Sequence, residues 1–205
     1  MKLIDLSQDI RNSMPVYPGD CEVILTQSHL FNRDKYNDHR LETGMHVGTH
    51  VDGPMHMTDV NQYLCDFDLE SFCGEGCIIN AQNESIIKLK DEHMEIIKEN
   101  SIALIHTGMD RYYGTEKYYS DHPVLDMLFC EILIKKRVKM VGFDMPSPDR
   151  FPFEIHKYLL NNKILILENL TNIDKIKGSD DFEVIAFPLK IKSDSCMVRA
   201  VAKIK

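Results

Sequence analysis

Residues 44–58 read GMHVGTHVDGPMHMT, and no other stretch limits the possible folds of this chain so sharply. Gly48, Gly53 and Pro54 oppose a helix, because glycine loses the most backbone entropy on ordering and proline lacks an N–H to donate. Extended chain is what remains. There, residues two apart share a face, so His46, His50, Asp52 and His56, all at even positions, project to one side. Val47, Thr49 and Val51 then point the other way, into a core. Pro54 bends the chain and lets His56 stand off from the first three groups. By composition, nine histidines in 205 residues put about half a histidine in an eleven-residue window, yet this one holds three.

The donor types define a chemistry. Imidazoles with a carboxylate, and no thiolate beside them, suit Zn²⁺ or Mn²⁺ in an open site rather than a closed structural zinc. The spacing is not the H-E-x-x-H of a helical zinc protease. Three protein ligands leave coordination positions for water, and a metal lowers the pKa of such a water to about 7, which makes it a hydrolytic nucleophile. His56 is then spare for proton transfer. The alternative, polar groups on a solvated strand, gives four donors no reason to converge.

The rest of the chain supplies the setting. A length of 205 residues argues for one domain. The net charge of −8 argues against nucleic acid or an anionic membrane surface as a partner. Six cysteines form no C-x-x-C pair and read as free, mostly buried thiols of a reducing cytoplasm. The opening MKLIDLSQDIRNSMP lacks the apolar stretch of a secretory signal, and no run approaches the ~18 apolar residues of a membrane span. Strand-like runs recur at Lys2–Leu6, Glu22–Thr26, Gly76–Asn80, Ile102–His106, Val138–Phe143, Ile164–Leu167, Phe182–Leu189 and Met197–Ile204. Helices are expected over Asp91–Asn100, over Pro123–Lys136 with Asp121 as cap and an interior apolar nearly all round, and over Phe153–Asn161. The pattern is α/β or α+β.

The run H-V-G-T-H-V-D-G-P-M-H resembles the H-x-G-T-H-x-D-x-P-x-H signature of the cyclase superfamily, which includes bacterial kynurenine formamidase and isatin hydrolase. The likeness extends through Asp5–Ser7, PVYPGD at 15–20, HTGMDRYYG at 106–114, VGFDMPSPD at 141–149, ILILENLTN at 164–172 and MVRAVA at 197–202. It implies an α/β fold of the swivelling β/β/α type, with residues 1–205 as one metal-dependent hydrolase domain. It implies ligands His46, His50 and Asp52, with Asp52 able to bridge two ions, and further ligands His156 and Glu168 from the second half. His56 is implied as proton donor and acceptor, and Tyr17 stands where relatives commonly carry a Trp that packs on an aromatic substrate. Arg199 is expected to hold an internal acid or a substrate carboxylate.

The implied function is hydrolysis of a small aromatic amide or formamide through one or two Zn²⁺ ions, with Mn²⁺ as the alternative metal. Metal-bound hydroxide would attack the carbonyl while His56 moves the proton. The competing readings are a cyclase or dehydratase, an isatin-type lactam hydrolase, and a non-catalytic metal-binding regulatory protein. The implied assembly is a homodimer or homotetramer in the cytoplasm.

Overall fold

The computed structural model describes every residue except Lys177 and Asp180. In chain order its strands are β1 (Lys2–Asp5), β2 (Ile24–His29), β3 (Asp38–Glu42), β4 (His50–Asp52), β5 (Cys73–Asn80), β6 (Ile86–Ile87) and β7 (Ile102–His106). There follow β8 (Val124–Leu125), β9 (Met140–Phe143), β10 (Leu165–Glu168), β11 (Phe182–Ile185), β12 (Ser195–Met197) and β13 (Val201–Ile204). The helices are α1 (Phe31–Asp34), α2 (Asp91–Ile96), α3 (Glu116–Ser120), α4 (Met127–Lys135) and α5 (Glu154–Asn161).

Nine strands form one mixed sheet in the order β1-β13-β11-β5-β7-β9-β10-β4-β12. The inner four, β5, β7, β9 and β10, run parallel, and the strands on either side are antiparallel. The apolar runs IALIH, MVGF and LILE are buried at every position, as a parallel sheet covered on both faces requires. Alternation decides which core each residue joins. Ala103 and Ile105 pack with Phe129 and Leu133 of α4 and Leu159 of α5, while Ile102 and Leu104 pack on the other face with Val51, Leu167 and Val184. The fold is therefore mixed α/β, as expected. None of the described helices is long and apolar enough to cross a membrane.

Several expected spans are corrected. The helix expected over Pro123–Lys136 begins only at Met127, because Val124–Leu125 pairs with Ile86–Ile87 as a short parallel strand. Asp126, not Asp121, is its cap, accepting the Leu128 amide at 2.9 Å. Its apolar residues are not buried all round: Phe129, Cys130 and Leu133 face the core, whereas Leu128 is 59% exposed. The helix from Asp91 stops at Ile96. The expected C-terminal strand is split into β12 and β13, with Val198 between them donating to the Thr49 carbonyl and bridging Pro188. The expected strand Glu22–Thr26 instead spans Ile24–His29 and forms a separate ribbon with β3, which the sequence reading missed. Cys77, Cys130 and Cys196 are buried, and Cys21 is exposed.

Candidate metal centre

The histidine-rich run is not one extended strand. Gly48 takes a left-handed φ of +58°, turning the chain between His46 and His50, and only His50–Asp52 pairs as β4. A Cβ at residue 48 would stand 2.7 Å from Ile10 Cδ1, a contact the Ile10 side chain can relieve by shifting, so the left-handed φ is what calls for glycine. Val47, Thr49 and Val51 are buried as expected. Thr49 Oγ1 ties the turn to distant chain, accepting from the Gln8 amide and donating to the Asn169 carbonyl. After Asp52, Pro54 opens a single 3-10 turn ending at His56. This turn folds His56 back, with its ring centroid 4.0 Å from that of His46. Contrary to expectation, His56 does not stand off from the cluster.

β10 delivers Glu168 directly opposite His50, and α5 delivers His156 from beneath. His46 Nδ1 lies 3.0 Å from Asp52 Oδ1, and His50 Nε2 lies 3.5 Å from that oxygen and 3.4 Å from Glu168 Oε2. His156 Nε2 lies 3.1 Å from Glu168 Oε1 and 3.9 Å from Asp52 Oδ2. Two triads result, His46–Asp52–His56 and His50–Asp52–Glu168, the donor atoms of each within 4.8 Å of one another. Asp52 belongs to both. The expected set His46, His50, Asp52, His156 and Glu168 is thus gathered at one place, together with His56.

Hydrogen bonds assign which nitrogen of each imidazole faces inward. His50 Nδ1–H donates to the Gly48 carbonyl at 2.9 Å, and His156 Nδ1–H to Asp149 Oδ1 at 2.7 Å, leaving both Nε2 atoms toward the carboxylates. His46 is reversed, with Nε2 on Asp194 Oδ2 at 2.7 Å and Nδ1 toward Asp52. At the centre, His50 Nε2, both oxygens of Asp52 and Glu168 Oε1 are buried without a hydrogen-bond partner. Imidazole and carboxylate are close there but not aligned to bond. A buried ionised group left uncompensated costs on the order of several kcal/mol. A cation compensates the whole set at once, and nitrogen with carboxylate oxygen is a donor set that fits a divalent metal.

The electrostatics agree. Burial lowers His46, but the Asp52 and Asp194 carboxylates outweigh it and lift the imidazole to about 11. His156, likewise opposed by burial, is raised to about 10 by Asp149 and Glu168. Burial also works against the Asp52 and Glu168 carboxylates, yet the surrounding imidazoles hold both below their ordinary values. His46 and His56 hold Asp194 far below the usual carboxylate range. The carboxylates thus favour positive charge among these imidazoles, and a divalent ion bound there would supply that charge in place of the protons, which ligation would release.

The centre opens into a cavity of about 210 Å³ walled by Tyr17, Tyr113, Tyr119, Phe153 and Met57. Tyr17 meets Tyr119 edge-on at 5.9 Å, so the structure puts the sequence-predicted tyrosine in the cavity wall. Arg199 is elsewhere, paired with Asp5 by two hydrogen bonds of 2.8 and 2.6 Å. The sequence reading missed Asp149, Asn169 and Asp194, and the walls Tyr113, Tyr119 and Phe153. Asp149 and Asn169 lie inside VGFDMPSPD and ILILENLTN, so the signal was present as context without a role. Asp194 carried no local signal.

Comparison with known proteins agrees with this geometry. The family described as "Putative cyclase" matches residues 4–150. An uncharacterised protein of Methanocaldococcus jannaschii is 32% identical, with 98% of this chain and 99% of that protein covered. The kynurenine formamidase of Bacillus mycoides is 31% identical over 98% of this chain and 96% of its own length. Among solved structures, isatin hydrolase A of Labrenzia aggregata superposes with a TM-score of 0.88 at 20% identity, covering 99% of this chain and 93% of its own. The match spans well over half of the chain, and the relatives run its full length, so this chain belongs to that cyclase family.

Proposed function

We propose that the chain, as one domain, is a metal-dependent hydrolase of a small aromatic amide, formamide or lactam, cleaving a carbon–nitrogen bond that is not a peptide bond. One observation carries this reading: buried, unpartnered donor atoms on His50 and Glu168, which line an aromatic-walled cavity, and on Asp52, 3.5 Å from His50 Nε2. Relatives that bear the name kynurenine formamidase, and structural neighbours that are isatin hydrolases, support the reaction class.

Zinc is the metal proposed, with manganese as the alternative, held by His46, His50, Asp52, His156 and Glu168. When bound, the ion supplies Lewis-acid polarisation of the substrate carbonyl and activation of water. The chain's residues do the rest. Tyr17, Tyr119 and Phe153 take the arene edge or face and exclude water from the floor. His56, 22% exposed at the cavity side of the cluster, takes a proton from the attacking water and returns it to the leaving nitrogen. Asn169 holds the Gly48 turn through its amide, 2.9 Å from the Gly48 carbonyl, and so fixes His50 against the floor.

Metal analysis of the purified protein, combined with a screen of aryl formamides, isatin-like lactams and lactones, tests the proposal. Hydrolysis adds one water to the product mass, which separates it from cyclisation. His56→Ala is expected to keep metal and lose turnover, and His50→Ala to lose both. Near-wild-type turnover in His56→Ala would remove His56 from the chemistry. The same reading takes a cytoplasmic homodimer or homotetramer as the working form, which sedimentation of the loaded protein tests.

A further inference from the structure

Asp194 stands outside the proposed ligand set, yet one of its oxygens touches two members of the histidine cluster. Asp194 Oδ2 lies 2.7 Å from His46 Nε2 and 3.4 Å from His56 Nδ1. The two imidazoles are tilted by 38°. We infer that Asp194 is a positioning residue that fixes both His46 and His56 through this shared oxygen. The inference rests on the metal-hydrolase reading of the site.

The backbone makes Asp194 a rigid support. Its carbonyl accepts the Gly53 amide at 2.9 Å, and the Ser193 carbonyl accepts the Leu64 amide at 2.9 Å. The next residue, Ser195, pairs directly with Asp52 across β12 and β4. The carboxylate that holds His46 is therefore anchored one residue from the strand position that faces Asp52 itself. Gly53 permits this approach, since a Cβ there would stand 3.0 Å from the Asp194 carbonyl oxygen. Ser195 Oγ, 3.0 Å from the same His46 Nε2, is a second and longer contact on the nitrogen that Asp194 holds.

The consequence is divided between the two histidines. With His46 Nε2–H donated outward, its Nδ1 lone pair is left facing Asp52, where the proposed ion sits. With His56 Nδ1 on the same carboxylate, His56 Nε2 is the atom left for the substrate. Asp194 would act on metal affinity through His46 and on turnover through His56, without touching either metal or substrate. Outer carboxylates on ligating imidazoles typically carry about 10–100-fold of metal affinity.

The test uses zinc alone as the first probe and the aryl-formamide screen as the second. Asp194→Asn keeps the side-chain shape and the backbone bonds but lowers the acceptor strength, and Asp194→Ala removes the acceptor. Zinc affinity, measured by chelator competition, is expected to fall about 10–100-fold in Asp194→Ala and less in Asp194→Asn. At saturating zinc, kcat is expected to fall further while KM stays near the wild-type value. In ¹⁵N spectra of the zinc-loaded protein, the His46 and His56 ring signals are expected to lose their fixed tautomers in Asp194→Ala. Wild-type zinc affinity and wild-type ring signals in Asp194→Ala would overturn the inference while leaving the hydrolase reading intact. A wild-type protein that binds neither zinc nor manganese would overturn both. Thermal unfolding of each variant guards against a global defect, and Asp194→Asn serves if Asp194→Ala does not fold.

Discussion

Asp149 has two jobs that the structure keeps separate, so its removal is a graded test of how the floor of the site is built. Asp149 Oδ2 accepts the Ile155 amide at 2.6 Å and the His156 amide at 3.3 Å, capping the start of α5. Asp149 Oδ1 accepts His156 Nδ1 at 2.7 Å. A lost cap costs about 1 kcal/mol, and a lost hydrogen bond to an ionised group about 1.5–3 kcal/mol. Asp149→Ala removes both and is expected to cost about 2.5–4 kcal/mol. Asp149→Asn keeps one acceptor oxygen, which can serve the helix or the imidazole but not both, so it should fall between Asp149→Ala and wild type. At roughly 2–4 °C per kcal/mol for a chain of this length, Asp149→Ala should lower Tm by about 5–15 °C. Zinc affinity, read by chelator competition, should fall about 10–100-fold because His156 loses its fixed orientation. Asp126→Ala is the control. It removes a side-chain cap on α4, a helix that contributes no residue to the centre, and should cost about 1 kcal/mol without touching zinc affinity. If Asp149→Ala matched Asp126→Ala in both Tm and zinc affinity, the assignment of His156 to the centre would be refuted.

Three further outcomes follow from the same structure. Removing metal with a chelator should lower Tm by about 10 °C relative to protein in metal at 1,000 times Kd, since that excess is worth about 4 kcal/mol; a metal-independent Tm would contradict the buried donor set. Burial raises Tyr118 well above 10 and Tyr119 to about 12, so both stay neutral in the fold after exposed tyrosines have ionised. Each therefore stabilises the fold fully below about pH 10, and that contribution is lost as pH rises toward and past 12. Absorbance at 295 nm should show these two titrating late, and a single step of all tyrosines near pH 10 in intact protein would be inconsistent with the packing. Finally, Gly142→Ala should cost about 1–3 kcal/mol, because its Cβ would stand 2.8 Å from Leu104 Cδ2 and Leu170 Cδ1, while Gly44→Ala, with nothing within 4 Å, should unfold at the wild-type temperature.

Legibility in the sequence followed the range of the interactions. Ile102–His106 was readable because a covered parallel strand needs an unbroken apolar run, and period-2 alternation then sorts Ala103 and Ile105 from Ile102 and Leu104. The start of α4 was not readable: Pro123 and the apolar residues after it suit a helix, and only pairing with Ile86–Ile87 makes Val124–Leu125 a strand. The direction of His56 depended on how tightly Pro54–His56 coils, which the presence of a proline leaves open.

The sequence by itself determined the chemistry of the donors. Imidazole and carboxylate at residues 46–56, with no thiolate among them, are donor types that suit an open site for a borderline metal. What only the tertiary structure decided is which nitrogen each imidazole offers and what holds it there. His46 is fixed by Asp194, 148 residues away, and His50 is matched with Glu168 across β4 and β10. The physical reason is that a ligand's identity is a property of one residue, whereas its tautomer and aim are set by the partner on its far side. That partner is brought close only when the sheet closes.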